Sequence, residues 1–144
     1  MKKIHHIGIV SENLDSALNM LNIEKSKIKE VVDDNIQHNL LHLIRLENND
    51  LWIEIIVPKN NNSTVHNFTK KYKTGIHHIG ILCNNIQELE SKFDKSTEAV
   101  KLGKYELTVA SFGGKISTLF IATHNVIIEY VEVKNAYKKA ETDR

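Results

Sequence analysis

A six-residue segment occurs twice in this chain of 144 residues. Residues 4–9 and residues 76–81 both read Ile-His-His-Ile-Gly-Ile. Each copy is followed, 48 and 51 residues after its second histidine, by a glutamate inside an apolar run, Glu54 and Glu129. Self-similarity at nearly constant spacing indicates two copies of one supersecondary unit. This repeat restricts the possible folds more than any other feature of the sequence.

Each copy predicts the order βαβββ. A β-branched run is followed by a short segment with apolar residues at helical spacing (Leu14, Ala17, Leu18 and Leu21 in the first copy), and then by three further β-like runs. The predicted strands are 4–10, 28–32, 40–46 and 51–57 in the first copy, and 76–82, 105–110, 116–122 and 126–133 in the second, with polar or glycine turns at 47–50 and 113–114.

The sequence therefore predicts one α+β domain over residues 1–144. We place the first module at about 3–58, a linker with a helix at 59–74, the second module at about 75–134 and a charged tail at 135–144. Ser63 is the expected N-cap of the linker helix.

The composition excludes several classes of function. Nineteen basic residues balance eighteen acidic ones, so no charge excess favours a nucleic acid or an anionic membrane surface. No apolar run approaches the ~18 residues of a membrane span, and the basic start is too short and too polar for a signal peptide. Cys83 is the single cysteine, which excludes an internal disulfide and fits a small core residue. A cytoplasmic location is expected.

Strand alternation divides the repeated residues between two faces. His6 and Gly8 share one face of the first strand, whereas Ile7 and Ile9 share the face that packs against the helix. A glycine two residues after a histidine leaves room for another group to approach the sheet. The second copy repeats this arrangement with His78.

The repeated histidines and glutamates together indicate a metal site. A carboxylate inside an apolar strand is costly to bury unless it is paired or bound to a metal. Two imidazoles and two carboxylates form a four-ligand set for one divalent cation, here Co, Ni, Zn or Mn. We predict His6, Glu54, His78 and Glu129 as its ligands. Taken singly, each of these residues fits a structural role better than a ligand role, and only their repetition favours a metal site. His5 and His77 are expected to bond locally.

The same residues carry a family resemblance. The stretch 52–58, the helix start at 63–68 and the segment 75–81 resemble methylmalonyl-CoA epimerases of the vicinal-oxygen-chelate superfamily, which also contains glyoxalase I. The resemblance spans about residues 4–133. It implies two tandem βαβββ modules forming a curved mixed sheet around a metal cleft, the same four ligands, and an expected homodimer.

The resemblance implies a metal-dependent epimerase that removes a proton α to a thioester carbonyl, with an acyl-CoA as the expected substrate. Glu129 is the first candidate for the catalytic base and Glu54 the second. The alternatives are a lactoylglutathione lyase of the glyoxalase I type and a metal-free small-molecule-binding protein of the resistance type. An extradiol dioxygenase is disfavoured, because its two-domain members are about twice this length and use a 2-His-1-carboxylate site.

The chain departs from the epimerase pattern at one strand. A separate catalytic glutamate would lie near residues 40–43, where this chain has Leu-Leu-His-Leu. His42 could substitute as the base or be a buried structural residue. The turn before Lys115 could bind a CoA phosphate or carboxylate, although a hairpin with a solvated lysine is the simpler interpretation.

Overall fold

The computed structural model describes residues 3–47 and 50–134. The strands are β1 Lys3–Ser11, β2 Ile28–Asp34, β3 Asn39–Arg45, β4 Trp52–Pro58, β5 Thr74–Leu82, β6 Ala99–Val109, β7 Gly114–Thr123 and β8 Val126–Val133. The helices are α1 Leu14–Leu21, α2 His66–Tyr72 and α3 Ile86–Asp94. This order confirms two βαβββ modules joined by a helix. The predicted tail and the centre of the predicted turn at 47–50 lie outside the described residues.

The chain divides into two compact units, and the division falls within β5. One unit comprises His5–Ile79, and the other comprises the residues from Gly80 onward with the start of the chain. The first unit thus contains α2 and the beginning of β5 in addition to most of the predicted first module. The assignment of the whole chain to one domain stays a prediction.

The first unit is a mixed sheet covered by α1. Its strand order is β2-β3-β4-β1-β5, in which β1 and β4 are parallel and β2, β3 and β4 are antiparallel. Asn13 caps α1 through its side chain, which accepts from the Ser16 N–H. As predicted, the apolar face of the helix packs on alternate strand residues; this core contains Ile9, Ala17, Leu18, Ile44, Ile53 and Ile55.

The second unit has the strand order β8-β7-β6, with antiparallel neighbours. Asn85 caps α3 as Asn13 caps α1. The core below α3 contains Cys83, Ile86, Leu119, Ile121 and Tyr130, which confirms Cys83 as a small core residue. Gly113, just before β7, and Gly114, its first residue, both have positive φ, so the predicted turn is confirmed. Lys115, which follows, is exposed.

Two details of the sequence prediction are wrong. The linker helix begins at His66, and its N-cap is Val65 rather than Ser63. The Ser63 hydroxyl instead donates to Asn39 on β3 and accepts from the Val65 N–H, so the chain makes one more turn before the helix starts. The strand predicted at 105–110 begins at Ala99, because backbone pairing with β7 continues past a bulge between Lys101 and Gly103.

In the part of the chain that the structure describes, none of the helices has the length and apolar content needed to cross a membrane.

Candidate metal centre

Three of the four predicted ligands belong to the first unit and lie side by side. His6 is on β1, Glu54 on β4 and His78 on β5. Their residues are 0%, 6% and 1% exposed. Glu54 alternates with Ile53 and Ile55 of the core below α1, so its side chain is on the sheet face away from that helix. The alternation of the strands therefore places these polar side chains together and the apolar ones under the helix.

The distances between their donor atoms fit one cation. Nε2 of His6 is 3.0 Å from Nε2 of His78, and Oε1 of Glu54 is 3.8 Å from the latter atom. One ligand atom from each of the three residues lies within 4.8 Å of the others. Two nitrogens at 2.0–2.1 Å from a zinc ion lie roughly 2.9–3.4 Å apart at angles of about 90–110°, and two ligands on opposite sides lie about 4.1 Å apart. The separations of 3.0 and 3.8 Å both lie within this range of distances.

Gly8 makes room for this arrangement. A Cβ added to Gly8 would lie 2.5 Å from Nε2 of His78, and closer still to Cε1 and Nδ1 of the same ring. The optimal separation of two nonbonded carbon atoms is about 3.5–4.0 Å, so contacts this short do not occur. The sequence predicted that another group approaches the sheet at this glycine. That group is the imidazole of His78, which belongs to the other repeat.

Each of the two central imidazoles contacts the histidine that precedes it. Nδ1 of His5 is 2.9 Å from Nδ1 of His6, and Nδ1 of His77 is 2.9 Å from Nδ1 of His78. In both pairs the rings meet edge to face, with centroids 5.2 Å apart. The prediction that His5 and His77 bond locally is confirmed, and their partners are two of the predicted ligands.

Glu129 belongs to the second unit. It lies on β8 opposite Phe120 and is 6% exposed. Its neighbours Ile128 and Tyr130 contribute to the core below α3, so the Glu129 side chain is on the other sheet face, as that of Glu54 is in the first unit. Burial of an ionised carboxylate requires a compensating partner. Its place in the ligand set stays a prediction.

His42 lies on the wrong face to act with Glu54. The register pairs His42 with Ile55 and Leu43 with Glu54, so His42 is on the α1 side of the sheet. Burial lowers its pKa, while a hydrogen bond from Nδ1 to the Ile55 carbonyl, at 3.3 Å, raises it, and the positive charge of Lys25 lowers it further. His42 therefore does not lie on the sheet face that carries Glu54. Leu43, which is fully buried, occupies the position beside Glu54.

One polar group was not singled out from the sequence. Thr118 on β7 is fully buried, and its hydroxyl has no hydrogen-bond partner among the described residues. It pairs with Val131, whereas Phe120 pairs with Glu129, so Thr118 and Glu129 share one face of the β7–β8 pair. A threonine in a strand is common, and nothing in the sequence marks this hydroxyl as unpaired.

A family model and several solved structures resemble the chain. Residues 5–108 match the model described as the glyoxalase/bleomycin resistance protein/dioxygenase superfamily. No curated protein matched the chain in a sequence search.

Among the solved structures, a hypothetical protein BH1468 from Bacillus halodurans C-125 has 22% identity and a TM-score of 0.70, covering 93% of this chain and 96% of its own. A methylmalonyl-CoA epimerase from Streptomyces coelicolor, in complex with 2-nitronate-propionyl-CoA, has 16% identity and a TM-score of 0.73, covering 92% and 98%. The methylmalonyl-CoA epimerase from Mycobacterium tuberculosis has 16% identity and a TM-score of 0.68, covering 94% and 91%.

At these identities the structural similarity shows the fold, which is the predicted pair of βαβββ modules. The family model extends over more than half of the residues. The chain therefore belongs to the glyoxalase/bleomycin resistance protein/dioxygenase superfamily.

Proposed function

We propose that His6, Glu54, His78 and Glu129 bind one divalent cation, and that the protein is an isomerase that removes a proton α to a thioester carbonyl. The observation that carries this proposal is the buried cluster of His6, Glu54 and His78, whose donor atoms have the spacing of ligands to one ion. Glu129 is the fourth ligand because it is the counterpart of Glu54 in the repeat and is equally buried.

The charges of the four residues suit a divalent cation in a buried site. Two ionised carboxylates balance a charge of 2+, and neutral imidazoles add donor nitrogens without adding charge. The ligand types do not select one metal, since Co, Ni, Zn and Mn all accept nitrogen and oxygen donors. A cation bound there supplies Lewis-acid activation of a carbonyl oxygen.

The chain's own carboxylates perform the proton transfer in this proposal. A carboxylate oxygen of Glu129 takes the proton from the carbon next to the carbonyl and holds it. A second proton donor then reprotonates the same carbon from the opposite face, which inverts the centre, and the base loses its proton to solvent. Glu54 is the second candidate for the base.

The substrate class in the proposal is an acyl-CoA. The supporting observation is that a similar structure, the Streptomyces coelicolor epimerase, holds a propionyl-CoA derivative, and another is in complex with methylmalonyl-CoA. Methylmalonyl-CoA is therefore the first substrate to test. We also propose a cytoplasmic location and a homodimer. Measurement of the mass in solution tests the homodimer.

The first experiment measures binding of Co²⁺ to the metal-free full-length protein, and then deuterium exchange from solvent into methylmalonyl-CoA. We expect about one cation per chain and cation-dependent exchange. Glu129→Gln keeps an oxygen donor but removes the base, and we expect it to slow exchange roughly 100-fold or more. His42→Asn is the matched control, because His42 lies on the other face of the sheet. A protein that binds no cation would instead support the metal-free binding alternative.

One observation favours a lactoylglutathione lyase of the glyoxalase I type as the second candidate. Leu43 is an apolar residue beside Glu54, in the segment 40–43 near which an epimerase with a separate catalytic glutamate would have a carboxylate. The lyase needs only the same four ligands and the same abstraction of a proton next to a carbonyl. Conversion of the hemithioacetal of methylglyoxal and glutathione, with no exchange into methylmalonyl-CoA, would select the lyase over the epimerase.

A further inference from the structure

The two histidines that precede the predicted ligands form a second layer around the site. The chain of contacts runs from His5 to His6, from His6 to His78 and from His78 to His77, with nitrogen–nitrogen distances of 2.9, 3.0 and 2.9 Å. The inner contact joins the two Nε2 atoms, and both outer contacts join Nδ1 atoms. Adjacent residues on a strand point to opposite faces, so such a contact between neighbours is unusual, yet it occurs in both repeats.

We infer that His5 and His77 are positioning residues, which accept hydrogen bonds from Nδ1–H of His6 and His78 and thereby direct both Nε2 lone pairs at the cation. This inference rests on the proposed function. A neutral imidazole that binds a metal through Nε2 carries its proton on Nδ1, and a hydrogen-bond acceptor at Nδ1 fixes that tautomer and the ring orientation. In both repeats the Nδ1 of the preceding histidine lies at hydrogen-bond distance from this Nδ1.

The proton positions balance when a cation binds. Without a cation, the contact between the two Nε2 atoms needs a proton on one of them, for example on His78. Nδ1 of His78 then accepts from Nδ1–H of His77. With a cation, His78 carries its proton on Nδ1 and donates to His77, whose own proton is then on Nε2. Each of the four rings keeps one proton in both states, so the lone pair on Nε2 of His78 is freed and both Nε2 atoms can bind the cation without loss of a proton.

The repeat supplies an independent reason for this assignment. The identical segment in both halves includes His5 and His77 as well as the ligands, and the two outer pairs have the same ring geometry. A role confined to packing in one half would not require the same nitrogen-to-nitrogen contact in both.

The test compares two substitutions at each position. Asparagine places an acceptor oxygen as many bonds from the backbone as Nδ1 of histidine, whereas leucine fills a similar space without an acceptor. We expect His5→Leu and His77→Leu each to weaken Co²⁺ binding about 10- to 100-fold. We expect His5→Asn and His77→Asn to bind within roughly threefold of the natural protein. His66→Leu, on α2, controls for loss of a histidine elsewhere, and thermal unfolding of the metal-free variants controls for folding.

A second measurement needs no variant. In the zinc-loaded natural protein, long-range ¹H–¹⁵N NMR spectra should show His6 and His78 protonated at Nδ1, and His5 and His77 protonated at Nε2. Protonation of His5 and His77 at Nδ1 would overturn the inference, as would equal cation affinity of the leucine and asparagine variants. If the natural protein binds no cation at all, the proposed function fails together with this inference; if it binds and the leucine variants bind equally well, only this inference fails.

Discussion

Gly8 is the position where the smallest possible substitution should disturb the site most. A methyl group on Gly8 would lie 2.5 Å from Nε2 of His78 and closer to two other atoms of that ring. Since ordinary contacts are about 3.5 Å or longer, the imidazole must move by roughly 1 Å. That movement breaks the 3.0 Å contact between His78 and His6 and displaces one donor nitrogen from the others.

The size of the effect follows from two opposing terms. Overpacking a buried site costs about 1–3 kcal/mol, and replacing glycine by alanine returns about 0.4–1 kcal/mol by restricting the unfolded chain. Gly8 does not have a positive φ, so no backbone strain is added. We therefore expect Gly8→Ala to lower the free energy of unfolding by roughly 0.5–2.5 kcal/mol. We also expect it to weaken Co²⁺ binding more than about tenfold, because ligands must keep their positions closely.

Gly75→Ala is the matched control, since Gly75 lies on the same strand as His78. Its added Cβ would lie 3.3 Å from Cζ of Phe68, at the far end of a side chain, and Gly75 also lacks a positive φ. Urea unfolding of the metal-free proteins and Co²⁺ titration followed by visible absorption measure both effects. If Gly8→Ala binds Co²⁺ as tightly as Gly75→Ala and unfolds at the same urea concentration, Gly8 does not hold space for the ligand, and the reasoning is wrong.

Two further predictions concern buried polar groups outside the ligand set. Thr118→Val removes a buried hydroxyl that has no partner among the described residues, so we expect the free energy of unfolding of the metal-free protein to rise by about 1 kcal/mol in urea unfolding; a decrease would show that the hydroxyl is bonded. His42 has a pKa lowered from its ordinary value of 6.5, so the unfolded chain binds its proton more readily than the folded one. The stability that His42 contributes is thus present above pH 6.5 and is lost as the pH falls below it. His42→Asn, which keeps a donor for the Ile55 carbonyl, should reduce this loss between pH 7.5 and roughly pH 5, and an unchanged pH profile would contradict the assignment.

Local pattern predicted most of the fold, because the pattern reports burial. Helical spacing located α1 and α3, and alternation assigned Ile53 and Ile55 to the core and Glu54 to the opposite face, as observed. The first part of β6 was missed because the bulge between Lys101 and Gly103 changes the phase of the alternation, so that Val100 and Leu102 are out of step with Tyr105 and Leu107. Its pairing with β7 depends on backbone hydrogen bonds, which side-chain pattern does not record.

The sequence by itself determined the two copies of βαβββ and the residues His6, Glu54, His78 and Glu129 as a candidate set, since repetition of polar residues within apolar strands is visible without coordinates. Only the tertiary structure decided which groups meet. The register of β3 against β4 placed Leu43 rather than His42 beside Glu54, and the adjacency of β1 and β5 brought the imidazole of His78 over Gly8. Contacts between residues distant in the chain depend on how strands pair and pack, and alternation along one strand contains no information about its neighbour.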